Sequence, residues 1–394
     1  MSKVLSGLLL ASSMFLSLPG QAWMEAAPPQ DVQLHQDSEV HFQDQLLEAA
    51  IRQQLQKKDD EAVTTTDMAS LTTLNLTGVT SIAGLQYATN LTQLYLSTGE
   101  IEDIRLLGAL TKLTSLNLSD NQIADLSPLK PLTKLQSLYL TNNRITDLQA
   151  LAGLTQLRSL YAGNNQIKDL APLKKMTQLV DLNFASNLVY DLGPLQSLKN
   201  IAYLDLSYNR IWNLEPIRNH TFAHYYDTGA LIYGLNFVGN YLDLRRTSKS
   251  YKILESLDQM DSPASTAPIK KVERLVIGST TAYIWESAFQ LTHAPFIVSD
   301  RTYVPIRFVS KWLGAEVGWD QTKKEVTIRK GTQTIRWIVN DKKADVNGQT
   351  VPYDVPMLLK NNSAFVPVRF VSERLDASVE YMTNPKTVLI FENK

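Results

Sequence analysis

His220-Thr221-Phe222-Ala223-His224 places two imidazoles four residues apart, the spacing at which one helix face offers two nitrogens to zinc. A zinc hydrolase of that kind needs H-E-x-x-H with the glutamate as base, and Thr221 stands in that place. The pair therefore reads as solvated or packed, not as a metal centre. The chain has 5 His and no Cys, which excludes cysteine-ligated metal, a thiol nucleophile and any disulfide. Its glycines form no phosphate loop, and there is no G-x-S-x-G elbow. Arg307 and Arg369 occupy equivalent places beside a helix start. They read as a repeated structural ion pair or hydrogen bond, with a ligand-binding arginine pair as the alternative. No enzyme activity and no cofactor are expected.

Side chains suited to recognition recur at a fixed spacing, and the elements that position them follow from it. Leu91, Leu113, Leu135, Leu157, Leu179 and Ile201 are spaced by 22 residues, as are Leu94, Leu116, Leu138, Leu160, Leu182 and Leu204. An earlier copy starts at Leu71, 20 residues ahead, and a last copy uses Ile232, Leu235, Phe237, Asn240 and Leu242 after an insertion around 220–230. One such unit cannot bury its apolar face alone, whereas stacked units build a continuous core. The pattern predicts an α/β solenoid whose short L-x-L strands form a parallel, concave sheet. Alternation then turns the residues between inward leucines outward. The outward set includes Tyr95, Asn117, Tyr139, Arg158, Tyr161, Asn183, Tyr203 and Asp205, expected to meet a protein or glycan ligand.

A column of Asn121, Asn143, Asn165, Asn187, Asn209 and Asn240 is expected to satisfy backbone groups where each turn leaves its strand, with Gly99 breaking it in the second copy. Asp103, Asp125, Asp147, Asp169 and Asp191, closed by Asn213, read as caps for a short helical convex side; a calcium-binding ridge is the sharper alternative. The whole pattern resembles the 22-residue leucine-rich repeats of the internalin type. That resemblance implies a helical N-terminal cap over 40–70, about eight repeats over 71–244 and a closing helix within 245–260.

Residues 261–271, small, polar and proline-bearing, read as a linker. Beyond them the period becomes 62. Tyr303-Val304-Pro305-Ile306-Arg307-Phe308-Val309-Ser310 returns as Phe365-Val366-Pro367-Val368-Arg369-Phe370-Val371-Ser372, and Trp319 returns as Tyr381. Each copy is expected to run strand, helix and hairpin, with Pro305 and Pro367 in the first helical turn and Gly314 ending the helix. Ile306, Val309 and Leu313 share one helical face. Residues 272–392 resemble the copper amine oxidase N-terminal, or stalk, family, departing from it at Asp376 and Tyr381-Met382. The resemblance implies a separate small α+β domain built by tandem duplication, acting as an accessory or interaction module. It implies no oxidase activity, because that enzyme's copper site needs a His cluster and this stretch has only His293.

The 394 residues carry 38 Lys+Arg against 39 Asp+Glu, too balanced for a dedicated nucleic-acid binder. The balance hides a split: 265–394 holds 18 basic and 13 acidic residues, net +5, leaving net −6 for 1–264. At the N-terminus, Lys3, the apolar run Val4–Leu18 and Pro19-Gly20-Gln21-Ala22 read as a signal peptide over 1–22, its run shorter than the ~20 residues that span a bilayer. The expectation is a secreted or cell-surface binding protein with no transmembrane segment in the mature chain. The alternative is a cell-envelope adhesion protein held to wall polymer through its C-terminal domain.

Overall fold

The computed structural model describes residues 37–227, 230–257, 271–383 and 385–393. The expected signal peptide and nearly all of the expected linker lie outside them. Helix α1 (Gln45–Leu55) turns Leu47 and Ile51 inward, and Asp44 caps it by accepting the Leu47 amide at 3.0 Å. The same carboxylate accepts the Thr80 amide at 2.7 Å, tying the cap to the first turn of the solenoid. A second helix, α2 (Thr65–Ser70), opens on a capping box between Thr64 and Asp67.

The solenoid strands are β1 (Thr73–Thr77), β2 (Gln93–Ser97), β3 (Ser115–Asn117), β4 (Ser137–Tyr139), β5 (Ser159–Tyr161), β6 (Asp181–Asn183) and β7 (Tyr203–Asp205). The insertion forms a hairpin, β8 (His224–Asp227) with β9 (Ala230–Tyr233), before β10 (Leu235–Asn236) completes the eight-stranded sheet. All pairs are parallel, with Leu74, Leu94, Leu116, Leu138, Leu160, Leu182, Leu204 and Leu235 in one register row, buried in a single core. Ile232, expected to open the last repeat, falls in β9 instead.

Two side-chain ladders hold the turns. Each ladder asparagine donates through Nδ2 to carbonyls of its own turn and of the preceding one. Asn165, for example, reaches Leu140 O at 2.9 Å and Ala162 O at 3.1 Å. Its Oδ1 accepts the Ile145 amide at 2.9 Å. Asn121, Asn143, Asn187, Asn209 and Asn240 make the same set. The residue before each is left-handed, from Asp120 (φ 58°) to Tyr208 (φ 55°). Gly99 breaks the ladder for a steric reason: a Cβ there would lie 2.2 Å from Val79 O and 2.9 Å from Asn121 Oδ1. On the convex side, Asp103, Asp125, Asp147, Asp169, Asp191 and Asn213 each accept the amide two residues ahead, at the start of a 3₁₀ turn.

Helix α3 (Lys249–Ser256), capped by Ser248, covers the far end with Ile253 and Leu254. The domain after it contains β11 (Val272–Val276), β12 (Thr281–Ile284), β13 (Ser287–Gln290), β14 (Phe296–Val298), β15 (Arg301–Pro305), α4 (Ile306–Trp312), β16 (Glu316–Asp320) and β17 (Glu325–Lys330). The same elements then return: β18 (Gln333–Ile338), β19 (Lys343–Val346), β20 (Gln349–Pro352), β21 (Leu358–Lys360), β22 (Ser363–Pro367), α5 (Val368–Arg374), β23 (Ala377–Thr383) and β24 (Lys386–Glu392). The expected strand, helix and hairpin are thus preceded in each copy by four further strands. Leu275 opposite Ala282 returns 62 residues on as Trp337 opposite Ala344. Strands β15 and β22 pair antiparallel with Val304 opposite Val366, so a pseudo-two-fold axis runs between those valines. Hairpin β16–β17 joins β18 of the second copy, and β23–β24 joins β11 of the first. Each five-stranded sheet is therefore three strands of one copy completed by two of the other.

Two local expectations change. Pro305 and Pro367 end their strands as N-cap residues, one position ahead of the first helical turn. Asp376, where the family pattern is lost, takes the left-handed turn (φ 63°) that Gly314 makes at φ 73°.

The pseudo-symmetry fails on the outer faces. Val272, Leu389 and Phe391 form an apolar patch with Tyr241 of the solenoid, flanked by Tyr190, Trp212, Trp285 and Met382. Their counterparts in the other copy, Thr334, Thr327 and Arg329, are polar. Arg274 lies between the rings of Trp212 (4.8 Å) and Tyr283 (4.1 Å). Glu380 takes Arg210 at 2.6 Å and Lys168 at 2.8 Å. The Glu286 carboxylate accepts the Lys249 amide of α3 at 2.7 Å. The second domain therefore docks on the last repeats. Giving this face its counterpart residues, Leu389→Thr with Phe391→Arg, is expected to remove about 3 kcal/mol of apolar contact and detach the domains. Small-angle scattering should then report a larger radius of gyration at unchanged circular dichroism; an unchanged radius would show that the polar contacts suffice.

Candidate functional site

The strand register sets Asn75, Tyr95, Asn117, Tyr139, Tyr161, Asn183, Asp205 and Asn236 in one row across the concave sheet. A second row, Gln93, Ser115, Ser137, Ser159, Asp181 and Tyr203, runs beside it. At the centre the Tyr139 and Tyr161 rings stack, centroids 5.1 Å apart at 19°. Tyr95 Oη meets Ser115 Oγ at 3.3 Å, and Ser159 Oγ donates to Asp181 at 3.1 Å.

The polar members of the row divide by what they already hold. Asn117 and Asn183 each use Oδ1 on the backbone two residues ahead, accepting Ser119 N (2.9 Å) and Ala185 N (3.0 Å). Asp205 is the departure from expectation. It is buried, accepts the Ser207 amide at 2.9 Å and hydroxyl at 2.7 Å, and takes Asn236 Nδ2 at 3.3 Å, so its work is to hold the end of the sheet. Arg158 sits one residue ahead of β5, exposed at the margin of the surface. Tyr203 is half-buried in the second row. Seven of the eight expected residues thus lie on one sheet, with the tyrosine pair at its middle, Asp205 on its penultimate strand and Arg158 at its margin.

His220 and His224 do not share a helix: 221–223 is loop and His224 opens β8. His220 is buried, stacks on Phe222 at 6.0 Å and contacts Leu195 O through Nε2 at 3.1 Å. Burial, then the nearby Lys199 charge, pushes its pKa down and favours the neutral ring. Copper does not fit the second domain: His293 Nδ1 is engaged with Ser363 Oγ at 3.0 Å, and no group of three His, Cys, Asp or Glu converges among the described residues. No helix among the described residues is long and apolar enough to cross a membrane.

The docked face was missed from sequence, although a signal exists. Tyr190 and Trp212 sit three residues after Asn187 and Asn209, where earlier turns carry Ala124 and Thr146. Aromatic residues at an otherwise small or polar column, confined to the last repeats, mark a covered surface.

Comparison with known proteins follows the same division. Residues 89–131 and 133–175 match the model of paired leucine-rich repeats, and 283–390 match the copper amine oxidase N-terminal domain. Internalin C2 of Listeria monocytogenes is 32% identical, over 55% of this chain and 91% of its own, with a TM-score of 0.48. The internalin InlF of the same organism is 26% identical, over 55% of this chain and 80% of its own, with a TM-score of 0.34. No curated protein matches the chain. Given the repeat match and the 32% identity across nearly all of internalin C2, the chain belongs to the internalin-like leucine-rich-repeat proteins and carries a copper amine oxidase N-terminal domain after its repeats.

Proposed function

We propose that this is a non-catalytic surface or secreted binding protein that recognises a protein ligand with its concave sheet. The observation that carries the reading is the stacked Tyr139–Tyr161 pair at the centre of a parallel, in-register sheet. A rigid scaffold presents these rings at little entropic cost, and tyrosine supplies contact area with a polar tip. Export through residues 1–22 belongs to the same proposal, as does a glycan in place of the protein ligand.

The test is a partner captured from the native surface and titrated against Tyr139→Ala with Tyr161→Ala. Loss of a central aromatic pair is expected to weaken binding about thirtyfold or more with no change in fold by circular dichroism. Unchanged affinity would place the site elsewhere. The net +5 of residues 265–394 supports a second reading, retention at an anionic envelope polymer through the C-terminal domain. Salt-sensitive retention of the wild-type chain, carried by that domain's cations, is its expected signature.

A further inference from the structure

The pseudo-two-fold axis of the second domain relates two clefts, one at each crossing of a β15/β22 end with the opposite hairpin. The larger, about 540 Å³, includes Leu291, Arg307, Trp319 and Lys324 in its wall; the smaller, about 390 Å³, includes Tyr353, Arg369 and Tyr381. Every residue lining the smaller has its 62-residue counterpart in the lining of the larger. The two are the same site, differently finished.

The smaller cleft is narrowed by its own side chains. Arg301, in its wall, pairs with Asp354. Arg369 lies over the Tyr381 ring at 5.5 Å and approaches Glu373 at 3.8 Å. In the larger cleft Ser363 and Thr292 replace the ion pair, and Lys311 stands where Glu373 would be. Arg307 has consequently lost its acid, and neither it nor Lys324 is ion-paired among the described residues. No acidic residue lines the cavity. Trp319 is half-buried in its wall, its indole N–H held by Gln321 Oε1 at 2.7 Å, an arrangement that fixes the ring plane. Gln290 and Asn362 add amide donors and acceptors at the rim.

We propose that the larger cleft binds an anionic saccharide. The tryptophan face takes the apolar side of a sugar ring, the amides take hydroxyls, and Arg307 with Lys324 takes the negative group. The volume lies within the usual range for a small-molecule site, and the charge of the wall selects the ligand's sign. This site deepens the envelope-polymer reading, and it is independent of the concave sheet.

The experiment is calorimetric titration of the full chain with trigalacturonate, with glucose 6-phosphate and with neutral maltotriose. Binding of either anionic probe with none of maltotriose supports the site, and the probe that binds tells carboxylate from phosphate as the source of charge. Arg307→Ala is expected to weaken that binding about tenfold or more. Ser363→Arg with Thr292→Asp, which installs the ion pair of the smaller cleft, is expected to abolish it without removing any binding group. Should that double variant fold poorly, Trp319→Ala supplies the same loss by removing the ring platform. Tyr139→Ala with Tyr161→Ala should leave saccharide binding intact, so failure of the concave-sheet reading and failure of this one are separable. Equal binding of maltotriose, no binding of either anion, or anion binding indifferent to Arg307→Ala and to closure of the cleft would overturn the proposal. Salt-sensitive envelope retention that survives closure of the cleft would overturn this site while leaving the broader retention reading standing.

Discussion

Asn165→Ala is expected to destabilise the solenoid by about 3–5 kcal/mol, read as a drop in the urea midpoint of the repeat region. Asn165 is buried, and its side chain serves Leu140 O, Ala162 O, Gly163 O and the Ile145 amide. Alanine leaves these groups short of a partner where water cannot easily replace it, and an unmet buried polar group costs about 1–3 kcal/mol. Two adjoining turns are weakened at once, because the bonds run between repeats. The neighbouring Asn164 gives the control. It is exposed at φ 53° and donates through Nδ2 to Asn142 Oδ1 at 2.6 Å; Asn164→Gly gives up that exposed bond but keeps the conformation accessible, so a change of no more than about 1 kcal/mol is expected. Similar losses at both positions would show that the column is not what joins the turns.

The second large effect has the opposite sign. Glu273→Ile is expected to stabilise the second domain by about 2 kcal/mol or more at neutral pH. Glu273 is fully buried, and neither carboxyl oxygen has a hydrogen-bond partner. Its counterpart is Ile335, buried in the domain core. Burial alone pushes the Glu273 carboxyl well above its ordinary 4.5. The folded state therefore holds a proton that the unfolded chain gives up. The contribution of this carboxyl to stability is greatest below about pH 4.5 and is lost as pH rises from there toward the raised folded value. Thermal melting against pH should show that decline in the wild type and lose it in Glu273→Ile. Glu273→Gln should also remove the slope, with less gain in stability because the amide remains unsatisfied. Parallel curves for wild type and Glu273→Ile would mean that the carboxyl is not the source.

The solenoid was legible in the sequence because every turn meets the same demand. Leu94, Leu116 and Leu138 face one core, and Asn121, Asn143 and Asn165 close one kind of turn, so identity recurs with the period. The hairpin formed by β8 and β9 answers to no such column, and Ile232 was accordingly assigned to the wrong element. The second domain was half legible. Strands β15 and β22 and their helices face each other across the axis and keep V-P-x-R-F-V-S in both copies. Strands β11 and β18 perform different tasks: one side of β11 lies against the solenoid while β18 presents Arg336 and Ile338 to solvent. Different surroundings erased the likeness, leaving Val272 opposite in character to Thr334. The arginine pair shows the same limit. Arg307 and Arg369 look equivalent in sequence, and only the contacts of Tyr381 and Glu373 separate an occupied arginine from an available one.

The exchange of hairpins between the two copies has a consequence for how such a domain comes to exist. A chain holding one copy would leave the β11 edge and the hairpin edge unpaired, a template for association. Two such chains would cure both edges by pairing with each other about a two-fold axis, as an obligate dimer with two identical faces and two identical pockets. Joining the copies in one polypeptide keeps that arrangement and releases its two sides from identity. One face is then free to become an apolar seat on the repeats while its twin stays wet, and one pocket can narrow around an engaged arginine while the other keeps its arginine unpaired.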